Sequence, residues 1–572
     1  MLTWDLGVLF KNEDELENTT QNYIQQSKEF KKNYSTTLDK LNPDDFLNAL
    51  KEYEHLHLIL SKIMTYAYLC FAKDSSKGSF YAKYEQECKK IEENLLFFEL
   101  EFCELSEEKT KELIKFCKGY DFYLQNLLQN KRYNLSQKEE RIMLYLSNTG
   151  ANAFSRLFDE SMTALKIPFE GNKLSEEEIL SKLYNNDRKI RKKAAKKFTK
   201  ALDKNLNLLT FIFNMIKTEL NNICKLRGYE SAETPRHLQN QITQQSVDSL
   251  IQTTQKHFYL VSNFYKRKKQ ILGFNKLKDY DRYAPIGKEA KFSFEESKKI
   301  ILNAFYDFSP VFGDIAKEAF EKGWIDVYPQ DKKQSGAFSH SATPDTHPFI
   351  LLNYTDGRRD LFTLAHELGH TIHQKLSYNV SFLNQNTPLT TAETASVFAE
   401  MLVFDYVKNK LKKEELLALY AAKIEDIFAT LYRQINFTCF ERRIHANENE
   451  LKSEEISQIW MEESQKMFGE SVELSKNYAL WWSYIPHFIH SPFYCYAYAY
   501  AQLLVLALYG LYKSNACSNF KELYIKMLSL GGSVSPKELV GMFGFDIEDK
   551  SFWEIGIVEI KKLIDEFMRL KQ

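Results

Sequence analysis

Glycine and proline are scarce in this sequence, 20 and 12 of 572 residues. Sheet-rich folds turn often and use these residues at their turns, so the scarcity argues for long helices joined by short loops. Cysteine is sparse too. The eight are Cys70, Cys88, Cys103, Cys117, Cys224, Cys439, Cys495 and Cys517, with no C-x-x-C pair. That spacing excludes a disulfide framework and a zinc–thiolate site, and it fits a reduced, cytoplasmic setting. Neither charge is in surplus: 76 Lys and Arg against 77 Asp and Glu leave a net −1. Binding through phosphates needs a positive surplus, so no nucleic-acid partner is expected. The opening MLTWDLGVLFKNEDELE lacks a basic n-region and an unbroken apolar core, so it does not read as a signal peptide.

One uncharged run, CYAYAYAQLLVLALYGLY at 495–512, reaches the length of a membrane span. Its five tyrosines and Gln502 mark a buried core helix instead, so no membrane partner is expected. The lysine-rich DRKIRKKAAKKFTK, residues 187–200, reads as a solvated helix face. The first 200 residues read as helices, with apolar residues at three- and four-residue intervals. The period breaks at LKDYDRYAPIGKEAKFSF, residues 277–294, and again across 324–360, where HPFILLNY is the best strand candidate. The expectation is a mainly α protein with a small sheet just before residue 361.

The second break leads into DLFTLAHELGHTIHQKL, residues 360–376. Asp360 is the expected N-cap, and Leu361, Leu364, Leu368 and Ile372 form an apolar stripe. On a helix, residues four apart are rotated by about 40° and separated by about 6 Å. His366 and His370 therefore converge on one ion. Glu367, about 100° round the helix, reaches water beside that ion without being a ligand. Two imidazoles and an adjacent carboxylate are the parts of a hydrolytic H-E-x-x-H zinc site. Seven of the 12 histidines lie in the windows 339–373 and 487–490, which adds weight to a metal over a chance match.

Two residues compete to be the third ligand. His373 is near the face of His366 but about 10 Å along a straight helix, so it reads as packing or as support behind a ligand. Glu393 opens a second helical pattern, TAETASVFAE, with Glu400 two turns on. Thr390-x-x-Glu393 also fits a capping box that would serve only its own helix end. The pattern leaves both readings of Glu393 open.

HELGH followed by AETASVFAE resembles the oligoendopeptidase F branch of the thimet-oligopeptidase-like zinc metallopeptidases. TWDLGVLF, YDRYAPIG, GAFSHSATPDTHPFILLNY and IPHFIHSPFYCYAYAYA carry the likeness along nearly the whole chain. The resemblance implies a neurolysin/thimet-like, two-lobed helical metallopeptidase with a small β-sheet beside the HExxH helix and a deep central channel. It implies a helical N-terminal lobe over residues 1–200 and a catalytic domain over 201–572. It makes Glu393 the third ligand of one Zn2+ ion, with Glu400 behind a ligand histidine. It assigns oxyanion-stabilising and substrate-binding roles to a distal histidine and tyrosines: here His487 and Tyr496, then Tyr494, with His490 also facing substrate. A glycine-rich loop of the thimet type is replaced here by FIHSPF.

The expected activity is internal cleavage of short peptides, with Glu367 as general base. Gly336, Ala337 and Phe338, opening GAFSHS, are expected to hold an extended peptide by strand pairing. Two other readings keep a similar fold. A carboxypeptidase would need a cation for the substrate's terminal carboxylate, and Arg358 and Arg359 read instead as an exposed turn. A peptide-binding scaffold would not need Glu367, which is intact.

Overall fold

The computed structural model describes residues 3–147 and 149–570. The mainly helical expectation holds: helices form where apolar residues recur with helical period, and the strands are short. Their described residues group into two compact units, each gathered from three stretches of chain.

The first unit draws on Met1–Arg132, Ala290–Lys410 and Asn515–Gly544. Its opening helices, Glu13–Tyr34, Pro43–Lys73 and Gly78–Glu104, pack on one another around Phe30, Phe46, Tyr53 and Phe98. Asn42 caps the second, accepting from the Asp45 N–H, and Pro43 stands where a helix needs no N–H donor. The second unit draws on Tyr133–Glu289, Leu411–Ser514 and Phe545–Gln572. Trp460, Trp481, Trp482 and Phe488 fill its core. The helix Cys495–Ser514 is long and apolar enough to cross a membrane, but 89% of its apolar window is buried inside the protein.

The lysine-rich run forms the helix Arg188–Lys204. Its lysines face outward, whereas Arg191 is buried and, with Arg188, clamps buried Asp281 at 3.1 and 2.6 Å. The solvated-face reading is therefore corrected at Arg191: the sequence showed a charge run but not the acid in YDRYAPIG that two of its members hold.

Five short strands form among the described residues. β1 (Ile167–Phe169) and β2 (Asn172–Leu174) make a hairpin that the all-helical reading of the first 200 residues missed. β3 (Ile325–Asp326), β4 (Phe338–His340) and β5 (Phe349–Leu351) form a sheet in the order β3-β5-β4. β3 runs parallel to β5 and β4 antiparallel, so β4 is an edge. The chain's opening secures this sheet: Trp4 Nε1 donates to the Ile350 carbonyl at 2.7 Å, and Thr3 Oγ1 to Asp326 Oδ2 at 2.6 Å.

α1 (Arg358–Ser377) follows the sheet, and α2 (Thr394–Lys408) packs across α1. α1 begins earlier than its sequence signal. Gly357 is the N-cap, and Asp360 at the third helical position accepts from the N–H groups of Thr355 and Gly357. Arg358 and Arg359 are its first two residues rather than a turn.

Lys333 and Asp326 are both fully buried and joined at 2.5 Å. Lys333→Met leaves the Asp326 carboxylate in the sheet without its cation, so urea unfolding should show a loss of about 3–5 kcal/mol. An unchanged midpoint would contradict this account of β3.

Candidate metal centre

The structure brings His366, His370 and Glu393 together. His370 Nε2 lies 3.1 Å from His366 Nε2, and each nitrogen lies 3.3 Å from Glu393 Oε2. Ligand bonds of about 2.0–2.1 Å at tetrahedral angles give ligand-to-ligand edges of about 3.3 Å. The triangle therefore fits one face of a zinc tetrahedron, leaving the fourth position open. The donor set, two imidazoles and a carboxylate, is also a hydrolytic zinc set.

Helix geometry supplies the two histidines, and a helix crossing supplies the glutamate. A Cβ on Gly369 would lie 2.5 Å from Ser396 Cα and 2.6 Å from the Ala395 carbonyl oxygen. Only glycine lets the start of α2 come this close to α1. Glu393 is the N-cap of α2, just before that crossing, and Ser396 Oγ donates to its Oε2 at 2.5 Å. The capping-box alternative does not form: Thr390 lies in a separate helical turn, Leu389–Ala392, and the cap of α2 uses no side chain.

Glu400 Oε1 lies 2.7 Å from His366 Nδ1. A proton on Nδ1 leaves the Nε2 lone pair turned towards the triangle. Burial lowers the His366 pKa, but hydrogen bonds to Glu393 and Glu400 outweigh it and hold the imidazole well above its usual range. Burial raises the Glu393 pKa, and hydrogen bonds from the two histidines outweigh that, holding it well below. Two carboxylates acting on one imidazole also suit a divalent cation, which takes the place of the protons on its ligands.

Glu367 is buried beside the triangle. Burial raises its pKa, opposed by His366 and His370. His373 is outside the triangle; burial pushes its pKa down to about 4, so its ring is neutral, and it meets the Ala392 backbone just before Glu393.

His366, Glu367 and His370 face a cavity of about 440 Å³, which Ala337 and Phe338 also line. Gly336 lies just outside it, its carbonyl held by Asn353 Nδ2 at 2.9 Å. The Ile350 N–H goes to the Trp324 carbonyl, so the Ser339–Ile350 pair is the kind without mutual hydrogen bonds. Ser339's own N–H and C=O therefore point away from β5. Gln374 of α1 takes that carbonyl at 3.1 Å and accepts from Ser339 Oγ at 2.8 Å. Neither Gln374 nor Gly369 carries a signal that sequence reasoning singled out.

The distal residues lie in the second unit and divide by helix face. Tyr496 is fully buried, its hydroxyl bound by His237 Nδ1 at 2.9 Å and Asn240 Nδ2 at 3.0 Å. The Tyr496 hydroxyl is thus committed inside the core in this structure. His487 Nε2 instead meets Tyr498 Oη at 3.3 Å, with the Tyr494 ring 5.9 Å from the imidazole. Burial first, then Arg433 and His490, lower the His487 pKa. His490 Nε2 lies 2.8 Å from Asp159 Oδ1. Tyr496 and Tyr500, four apart on the helix Cys495–Ser514, are both buried in the core.

Residues 181–559 match the model of peptidase family M3, and residues 101–167 match that of Oligopeptidase F. The oligoendopeptidase F homolog of Borreliella burgdorferi is 30% identical over 593 residues, covering 100% of this chain and 98% of its own. Oligopeptidase PepF of Bacillus subtilis is 27% identical over 599 residues, covering 100% and 88%. Among solved structures, one from Chlamydophila abortus superposes with a TM-score of 0.89 at 24% identity, covering 100% of this chain and 98% of that one. Oligoendopeptidase-F from Enterococcus faecium gives 0.72 at 23%, covering 98% of each. These two likenesses establish the fold.

Gly369→Ala forces α1 and α2 apart. It should lower stability by about 1–3 kcal/mol in urea and weaken Zn2+ binding in competition with a chromogenic chelator. Wild-type stability together with wild-type affinity would contradict the crossing as the feature that delivers Glu393.

Proposed function

This chain belongs to peptidase family M3 and is a metalloendopeptidase, and on that premise we propose that it cuts internal bonds of short oligopeptides using one zinc ion on His366, His370 and Glu393. The observation that carries the proposal is the triangle of Nε2, Nε2 and Oε2 with edges of 3.1–3.3 Å beside buried Glu367. The ion, when bound, supplies Lewis acidity, making a water more acidic and polarising the scissile carbonyl.

The chain's own residues do the rest. Glu367 takes a proton from the attacking water as the new C–O bond forms, then gives it to the leaving nitrogen as the C–N bond breaks. Its burial, which raises its affinity for that proton, suits it to both halves of the transfer. Glu400 fixes the ring of His366, and Ser396 fixes the carboxylate of Glu393. The outward edge of β4 receives an extended peptide through main-chain hydrogen bonds, a mode that tolerates varied side chains.

His487 and Tyr494 are the proposed donors to the developing oxyanion. Tyr498 takes the place that the resemblance implies for Tyr496, on the strength of its contact with His487. All of these residues lie within 201–572; residues 1–200, which divide between the two units after Arg132, carry none of them. Eight free thiols support a reduced, cytoplasmic setting.

Glu367→Gln removes the proton acceptor and leaves the ligands. Its zinc content should match wild type, while kcat on a short peptide falls by about a hundredfold to ten-thousandfold. Normal turnover with zinc retained would remove Glu367 from the mechanism.

A further inference from the structure

The cavity beside the triangle has a composition that the peptidase reading does not require. Its titratable lining groups are His366, Glu367, His370 and His373, all on α1; the remaining walls carry no charge. Those walls are β4, the second half of α1 and the segment 385–387. Gln374 and Ser377 are committed to Ser339 and to the Gln374 carbonyl, and Gln385 donates to the Val380 carbonyl at 3.3 Å. The side chains of Ser341, Asn386 and Thr387 line the cavity and make no hydrogen bond among the described residues.

The far wall is held in place before any peptide arrives. The Gly532 N–H donates to the Asn384 carbonyl at 2.7 Å, and a Cβ on Gly532 would stand 2.1 Å from the Asn386 carbonyl oxygen. Asn384 is buried, and its amide donates to the Gly119 carbonyl and to Ser381 Oγ, each at 2.9 Å.

We propose that this cavity is a specificity subsite for an uncharged, hydrogen-bonding side chain (Asn, Gln, Ser or Thr) at a residue flanking the scissile bond. The inference rests on the peptidase reading. Away from the centre, an ammonium, guanidinium or carboxylate entering here gives up water and meets no opposite charge on β4 or the segment 385–387. An amide or hydroxyl meets the unpaired groups of Ser341, Asn386 and Thr387.

The test is a peptide set varied at both residues flanking one cleavable bond, with products followed by mass spectrometry. The same set is titrated by calorimetry into the zinc-loaded Glu367→Gln variant, which reads binding without turnover. At one flanking position, neutral polar residues should be cut, and bound, about tenfold better than Lys, Arg, Asp or Glu. Asn386→Asp, at an exposed position, should shrink the disadvantage of Lys and Arg severalfold and deepen that of Asp and Glu. Equal cleavage and equal binding of charged and neutral peptides, unmoved by Asn386→Asp, would overturn the subsite. If wild type cuts none of the peptides, the peptidase reading fails, and the calorimetric ranking still decides the subsite.

Discussion

The centre depends on one close approach. α1 presents two imidazoles on its own, but the carboxylate that completes their triangle belongs to another helix. It reaches them because α2 starts against the backbone of α1 at Gly369, where a methyl group would lie 2.5 Å from Ser396 Cα. Packed interiors do not absorb such a clash without backbone movement. The glycine of HELGH is thus a packing requirement of the same centre whose ligands flank it.

Around that crossing, two of the three donors are held by a second group, and the edge strand by a third. Glu400 orients His366, Ser396 orients Glu393, and Gln374 ties α1 to the edge strand β4. The first two fix the donor triangle; the third fixes the edge strand relative to it. Such supports convert a loose set of ligands into a defined geometry, because the rotamer freedom they remove would otherwise be lost on binding. The electrostatics agree with the geometry: two carboxylates act on one imidazole, and hydrogen bonds to them hold its pKa well above the usual range.

The sequence displayed what is local. His366, Glu367 and His370 were legible because their spacing alone fixes their relation on a helix, and the strand at HPFILLNY was legible from its composition and flanks. Glu393 was balanced between ligand and cap, since pattern cannot show that Thr390 falls in a separate turn; resemblance supplied the tertiary information. The burial of Tyr496 was not legible, because its partners His237 and Asn240 lie more than two hundred positions away. Arg191 and Asp281 illustrate the same limit, a buried pair formed across 90 residues. The compact units, each assembled from three chain segments, have no mark in a linear pattern of helices.

The central claim is that a zinc ion on His366, His370 and Glu393 makes this chain cut peptides internally. The most direct measurement is product mapping by mass spectrometry on one defined short peptide, using chelator-stripped protein before and after one equivalent of Zn2+. The account predicts intact peptide before addition and paired internal fragments after it. Fragments formed without metal, or stepwise loss of terminal residues, would contradict it.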